Sequence, residues 1–264
     1  MQKFKDQLHL KKRKKILKRG LFFLLIVLVV VGAGIYVLFF ARLLDVREVR
    51  IEVRGDHGEE LGQAINDWLD DDFLKIKKRN NTLILSSDTL ATDLMALFPR
   101  MDFLNVEKEL PHILLISGQE RSSAGIWCVV KQDRCFHFDK NGVAFADTGQ
   151  SSGFLILNVN DSRERSVKLG ESVAEKIWLD NMIKSRNLIV TTGVVVSGFV
   201  VPQDSLEEFH AQTTEGWKIM FSTSTDIEKQ INALGIFLRE KINKNDRSEL
   251  EYIDLRVQDR IYYK

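Results

Sequence analysis

The chain holds 264 residues, with 38 Lys and Arg against 37 Asp and Glu, and the resulting formal charge of +1 argues against a dedicated nucleic-acid binder. At 44% hydrophobic and 28% charged residues, with only three prolines, the composition is that of folded protein and excludes a Pro-rich disordered linker. The near-zero charge is a cancellation: residues 1–20 carry nine Lys or Arg and one Asp, residues 21–41 carry none, and the rest carries 29 basic against 36 acidic side chains. The basic tail is therefore +8 and the body −7. The 223 residues after position 41 suffice for one large core or two small ones.

Residues 21–41 read LFFLLIVLVVVGAGIYVLFFA, and sixteen of them are Leu, Ile, Val or Phe. As a helix rising about 1.5 Å per residue, this run is about 31 Å long, which predicts a transmembrane helix. A cleaved signal peptide is the competing reading, since Gly32-Ala33-Gly34 supplies small residues, but Ile35–Phe40 stays apolar where a cleavage region turns polar. Lys11-Lys12-Arg13-Lys14-Lys15, Lys18 and Arg19 precede the run, so the positive-inside rule predicts a cytoplasmic N-terminus and an exported body. The same cations are expected to meet anionic lipid head groups.

The string from Asp45 to Gly55 alternates, with Val49, Ile51 and Val53 on one face, and predicts a half-buried strand. Residues 58–70 place Leu61, Ile65 and Leu69, with Ala64 and Trp68, on one helical face. A second helix is expected to start at Ser86-Ser87-Asp88, present Leu90, Leu94, Leu97 and Phe98, and stop at Pro99. Phe103–Leu110 and His112–Gln119 follow as extended runs divided at Pro111.

Residues 125–145 predict three short strands, joined by turns near Lys131–Arg134 and at Lys140-Asn141-Gly142, where Asn-Gly is a strong hairpin signal. Phe154–Val159 reads as a strand. Capping-box patterns open two helices, at Ser172–Glu175 and Thr225–Glu228, and the second helix aligns Ile227, Ile231, Leu234, Leu238 and Ile242 in a stripe. Between them lie strand candidates Gly193–Val201, Leu206–Thr213 and Trp217–Phe221. A final strand is expected over Leu250–Val257, with Ile253, Leu255 and Val257 on one face and Tyr252, Asp254 and Arg256 on the other. The fold class is α+β: a transmembrane helix, a small β-α-α-β-β domain, then an α+β domain with a mainly antiparallel sheet.

The stretch FPRMDFLNVEKELPHILLISGQER (98–121) resembles the close of a POTRA domain as found in the bacterial cell-division proteins of the FtsQ/DivIB family. The basic tail and single span fit that layout, and Tyr252-Ile253-Asp254-Leu255-Arg256 is close to the family's closing Y-I-D-L-R motif. The resemblance implies a tail over 1–20, a span over 21–41, a POTRA domain over 45–120 and a β-rich domain over 121–264. At Val257 the chain departs from the family, many of whose members carry an aromatic there; Tyr262 and Tyr263 are the candidates to replace it.

Catalytic motifs find no support. Gly149-Gln150-Ser151-Ser152-Gly153 satisfies G-x-S-x-G, but a nucleophile elbow needs a helix after the serine, and a strand is expected there. No phosphate loop or HExxH motif occurs, the five histidines show no ligand spacing, and no metal or cofactor is expected. Cys128 and Cys135 flank a predicted turn; an exported hairpin disulfide, free buried thiols and zinc with His137 all remain open, the last being a ligand short.

Without a catalytic set, the exported body reads as a binding module whose tool is a sheet edge, to which a partner adds its own strand. Leu250–Val257 and Arg260-Ile261-Tyr262-Tyr263 are the candidate edge, against the alternative that Ile253, Leu255 and Val257 face the core. The partner-binding candidates are thus Tyr252, Ile253, Asp254, Leu255, Arg256, Val257, Tyr262 and Tyr263. The family resemblance implies a non-enzymatic scaffold of the division septum, binding FtsB or DivIC and FtsL-type proteins near the Y-I-D-L-R strand, with the POTRA domain and span serving recruitment among other divisome proteins. The alternatives are a POTRA-bearing chaperone or secretion component that captures extended polypeptides, and an anchored hydrolase using Ser151.

Overall fold

The computed structural model describes residues 18–36, 44–70, 72–73, 77–78, 80–150 and 156–264. Helix α1 (Lys18–Tyr36) is 19 residues long, apolar enough to cross a membrane, and not buried against protein. It opens three residues before the predicted span, whose residues 37–41 lie outside the described residues, as do residues 1–17 of the basic tail. The chain divides into two compact units, Met1–Met95 with Leu104–Gly118, and Ala96–Phe103 with Gln119–Lys264.

In the first part of the body the elements run β1 (Glu48–Arg54), α2 (Gly58–Asp70), β2 (Asp72–Phe73), β3 (Lys77–Lys78), α3 (Ser87–Leu97), β4 (Met101–Glu109) and β5 (Ile113–Glu120). This is the expected strand-helix-helix-strand-strand order with one addition, the short antiparallel pair β2–β3. The larger sheet has the order β1-β5-β4, so β5 is central and buries Leu114 and Ile116 completely, while β1, at an edge, half-buries Val49, Ile51 and Val53. Leu61, Ile65 and Leu69 of α2 and Leu90 and Leu94 of α3 are buried as their spacing requires. Ser86 caps α3, its Oγ accepting from the Thr89 amide at 3.3 Å. Leu97, expected on the buried face, is instead exposed, because the apolar stripe of α3 ends a turn earlier at Leu94.

The second unit carries a nine-stranded sheet of order β14-β13-β12-β11-β10-β9-β6-β7-β8. Its strands are β6 (Gly125–Val129), β7 (Arg134–Phe138), β8 (Ala144–Thr148), β9 (Leu157–Asp161), β10 (Val196–Val201), β11 (Glu208–Thr213), β12 (Lys218–Ser222), β13 (Tyr252–Asp254) and β14 (Tyr262–Tyr263). Helices α4 (Lys176–Ile189) and α5 (Ile227–Glu240) complete it. Five strand pairs are antiparallel and three, β6–β9, β9–β10 and β12–β13, are parallel. The sheet is therefore mixed, and each helix is the crossover of a parallel pair: α4 joins β9 to β10 and α5 joins β12 to β13.

Register explains where the core sits. Phe136, Trp127, Val159, Phe199, Ala211, Ile219, Ile253 and Tyr263 are directly opposite one another in successive strands and so share a face. The first seven join Trp178, Leu179 and Met182 of α4 and Ile231, Leu234 and Leu238 of α5 in one buried cluster. The adjacent row, Cys135, Cys128, Asn160, Val200, His210, Met220, Asp254 and Tyr262, lies on the opposite face. At the predicted Asn-Gly turn, Gly142 has φ +83°, and a Cβ there would fall 2.4 Å from Leu179 Cδ1.

Several boundaries differ from the expectation. The capping box at Ser172 is not formed: Ser172 bridges Val143, the Val173 amide donates to Gly142 O, and α4 begins only at Lys176, with no side-chain cap. At α5 the cap is Asp226, which accepts from the Glu228 amide, while Thr225 Oγ1 has no partner. Ile242 packs on the core but lies beyond the end of α5. Strand β9 spans Leu157–Asp161, and Phe154 and Leu155 of the expected strand, like Ser151, fall in residues 151–155, which lie outside the described residues. The strand expected over Leu250–Val257 is only three residues long.

Candidate functional site

Two strands end the nine-stranded sheet, and they are finished differently. The outer side of β8 is occupied at its start, where Ala144 N donates to Glu171 O at 2.9 Å and Gly170 N donates to Ala144 O at 2.7 Å. Farther along, the Asp147 side chain turns to the neighbouring strand and pairs with Arg134 of β7, 2.6 Å from Nη2. Such a strap is one of the ordinary ways of blunting an edge.

No strand lies beyond β14 among the described residues. Tyr252 and Lys264 exchange both backbone hydrogen bonds, at 3.2 and 3.3 Å, so the alternation of an antiparallel ladder turns the N–H and C=O of Tyr263 away from β13. Tyr262 and Tyr263 are 47% and 54% exposed and lie on opposite faces of this edge. The Tyr263 ring packs on Phe237 of α5, centroids 4.9 Å apart, which orients it while leaving half its surface open. Beside the edge, a groove of about 510 Å³ runs between the start of α5 and the loop joining β13 to β14, floored by Leu255, Val257 and Ile261 and flanked by Lys229 and Arg260.

The remaining sequence candidates divide by burial. Ile253 and Leu255 are core residues, and Asp254 is buried on the other face, so none presents its side chain to a partner. Val257, expected with Ile253 and Leu255, is exposed, because the chain leaves the strand after Asp254 and the two-residue alternation ends with it. Tyr252 is half-buried.

Arg256 turns inward along the strand it follows. Its Nε and Nη2 donate to the Asp254 carboxylate at 2.9 and 2.7 Å, its backbone N–H adds a third bond at 3.0 Å, and Nη1 pairs with Glu208. These bonds raise the Arg256 pKa above its ordinary value, with the Asp254 hydrogen bond the largest cause. Burial pushes the Asp254 carboxyl up, but the Arg256 hydrogen bonds and charge outweigh it and hold the group below the usual carboxylate range. His210, on β11 in the row that contains Asp254, is pushed down by burial, then by the charges of Lys218 and Arg256; Glu208, 3.6 Å from Nε2, opposes the shift. The motif's arginine thus locks β13 to β11.

Sequence reasoning missed Leu206, an almost fully exposed apolar residue in the loop before β11, which lines a shallow depression with Arg256 and Val257. Its only sequence signal was the polar surroundings of a lone leucine in Asp204–Glu208. Cys128 and Cys135 are directly opposite across β6 and β7 and are joined by a disulfide. Among the described residues no group of three or more His, Cys, Asp or Glu could hold a metal ion. No family model matches the chain, and a search of curated proteins finds no match.

Proposed function

We propose that this chain is a membrane-anchored, non-enzymatic scaffold of bacterial cell division, of the FtsQ/DivIB type, that holds its partner by strand addition to β14. The observation that carries the reading is the contrast between the two sheet edges: β8 is strapped at its start, whereas β14 is open, short and faced by two half-exposed tyrosines. An added strand would bond to the outward amide and carbonyl of Tyr263, and alternate side chains would meet Tyr262 on one face and the groove beside Tyr263 on the other. Tyrosines supply large contact area with a polar tip, as binding hot spots do. The apolar helix α1 and the β-α-α-β-β order over residues 48–120 support the family's anchor and POTRA layout. The basic run before α1 supports a cytoplasmic N-terminus and an exported body, which the scaffold role at the septum requires. The expected partners are FtsB or DivIC and FtsL-type single-span proteins.

Removing residues 250–264 is a poor test, because it also removes the core residues Ile253 and Leu255. Tyr263→Pro is sharper. It deletes the outward N–H and leaves the β13–β14 bonds of Lys264 and Tyr252 in place. Losing one interfacial backbone hydrogen bond and the fit around it should weaken co-purification of the partner about tenfold, with unchanged thermal unfolding. Full partner recovery with Tyr263→Pro would reject the edge mechanism. Weak capture of many unrelated extended peptides would favour a POTRA-bearing chaperone instead.

A further inference from the structure

The first described residues after the apolar run are tied down. Leu44 O accepts from Thr82 N at 2.8 Å and from Thr82 Oγ1 at 3.0 Å, and the same hydroxyl reaches Pro111 O at 3.3 Å. Val46 N donates to Asn80 O at 2.7 Å, and Asp45 bridges Asn81. Thr82 and Asn81 are both buried, so these are built contacts. Ala41 closes the apolar run and Leu44 is three residues on, which at full extension is about 10 Å. The polar head-group layer on each side of the hydrocarbon is about 5–8 Å thick. A chain that crosses the membrane over residues 21–41 must therefore hold the turns around Thr82 and Pro111 at the lipid surface.

What these turns display suits that place. Leu83 and Leu110 are 48% and 67% exposed, and each is one residue from the Thr82–Pro111 hydrogen bond. Exposed leucines this close to the end of the apolar run suit the interfacial layer, where apolar side chains reach the acyl chains. We propose that the turns at Leu83 and Leu110 form a docking surface for the phospholipid bilayer that the chain spans, which fixes the first unit against it. This rests on the reading that α1 spans the membrane, and the test below separates the two.

The full chain, with Cys128 and Cys135 held in their disulfide, is reconstituted into phosphatidylglycerol-containing vesicles and labelled through one added cysteine at a time. Leu83→Cys and Leu110→Cys test the surface, Leu28→Cys reports the span, and Leu206→Cys is the solvent reference. Labels at 83 and 110 should be quenched by nitroxide on lipid head groups and shielded from iodide, while the label at 206 behaves oppositely. Quenching of the label at 110 should fall about threefold or more with Leu83→Glu, which replaces one of the two apolar side chains offered to lipid by a charge. Free access of iodide to 83 and 110, with the Leu28 label among acyl chains, overturns the docking surface and leaves the span standing. Shielding without lipid quenching means a protein contact and also overturns it. Unchanged quenching at 110 with Leu83→Glu overturns the role of the leucines, and a Leu28 label in water refutes the span itself.

Discussion

Arg256→Met separates a structural arginine from a partner-binding one. The Asp254 carboxylate is buried and takes three bonds from Arg256, so the substitution strands a carboxylate and leaves Glu208 as a like charge nearby. Breaking a fully buried pair costs about 3–5 kcal/mol, and an exposed one up to about 1. The Arg256 side chain is 35% exposed and that of Asp254 12%, and the backbone bond from residue 256 survives, so about 2 kcal/mol is expected. Asp254→Asn should cost about 1 kcal/mol, and the double variant should show a coupling of about 1–2 kcal/mol. Urea unfolding followed by tryptophan fluorescence reads this, since Trp127, Trp178 and Trp217 are all buried in the second unit. The pH dependence has a definite sign. Because the folded Asp254 pKa is depressed, the pair's contribution is complete above the unfolded carboxylate value near 4 and is lost as pH falls through the lower folded value. The difference between wild type and Arg256→Met should therefore shrink in acid. A cost below about 0.5 kcal/mol, together with lost partner binding, would refute the inward role and return Arg256 to the interface.

Other expectations test neighbouring features. His210 has a depressed folded pKa, so its contribution is complete above about pH 6.5 and is lost as pH falls towards the folded value; His210→Gln should flatten that acid limb of the stability profile. Asp226→Ala should cost about 1 kcal/mol in urea unfolding while Thr225→Ala costs almost nothing, the reverse of what a Thr225 capping box requires. Replacing Cys128 and Cys135 together by Ser opens an eight-residue loop and should cost about 2–3 kcal/mol on the chain-entropy account, measured as a lower urea midpoint.

Local rules made most elements legible. Leu61, Ile65 and Leu69 named the buried face of α2, the Asn141-Gly142 turn gave the β7–β8 hairpin, and Ile231, Leu234 and Leu238 marked the inner face of α5. The misses lie where a distant segment competes with a local preference. Ser172 has a capping-box sequence, but Val143 claims its backbone; Leu250–Val257 alternates, yet only Tyr252–Asp254 has strands on both sides to pair with. At the candidate site the tyrosines were legible as amphipathic residues, whereas the second carboxylate that Arg256 reaches beyond its neighbour Asp254, Glu208, lies 48 residues away in sequence and comes close only because β11 sits two strands from β13.

The sequence by itself determined the partition: a cationic tail, an apolar helix long enough to span a bilayer and an acidic body follow from charge counts and hydropathy, which are properties of the chain in order. Only the tertiary structure decided which strand ends the sheet. Strand order depends on pairings between residues far apart: the parallel crossover through α5 puts β13 inside and β14 at the rim, while Gly170 and Glu171 strap β8. The charge asymmetry and the open edge are thus written at different ranges, the first along the chain and the second across it.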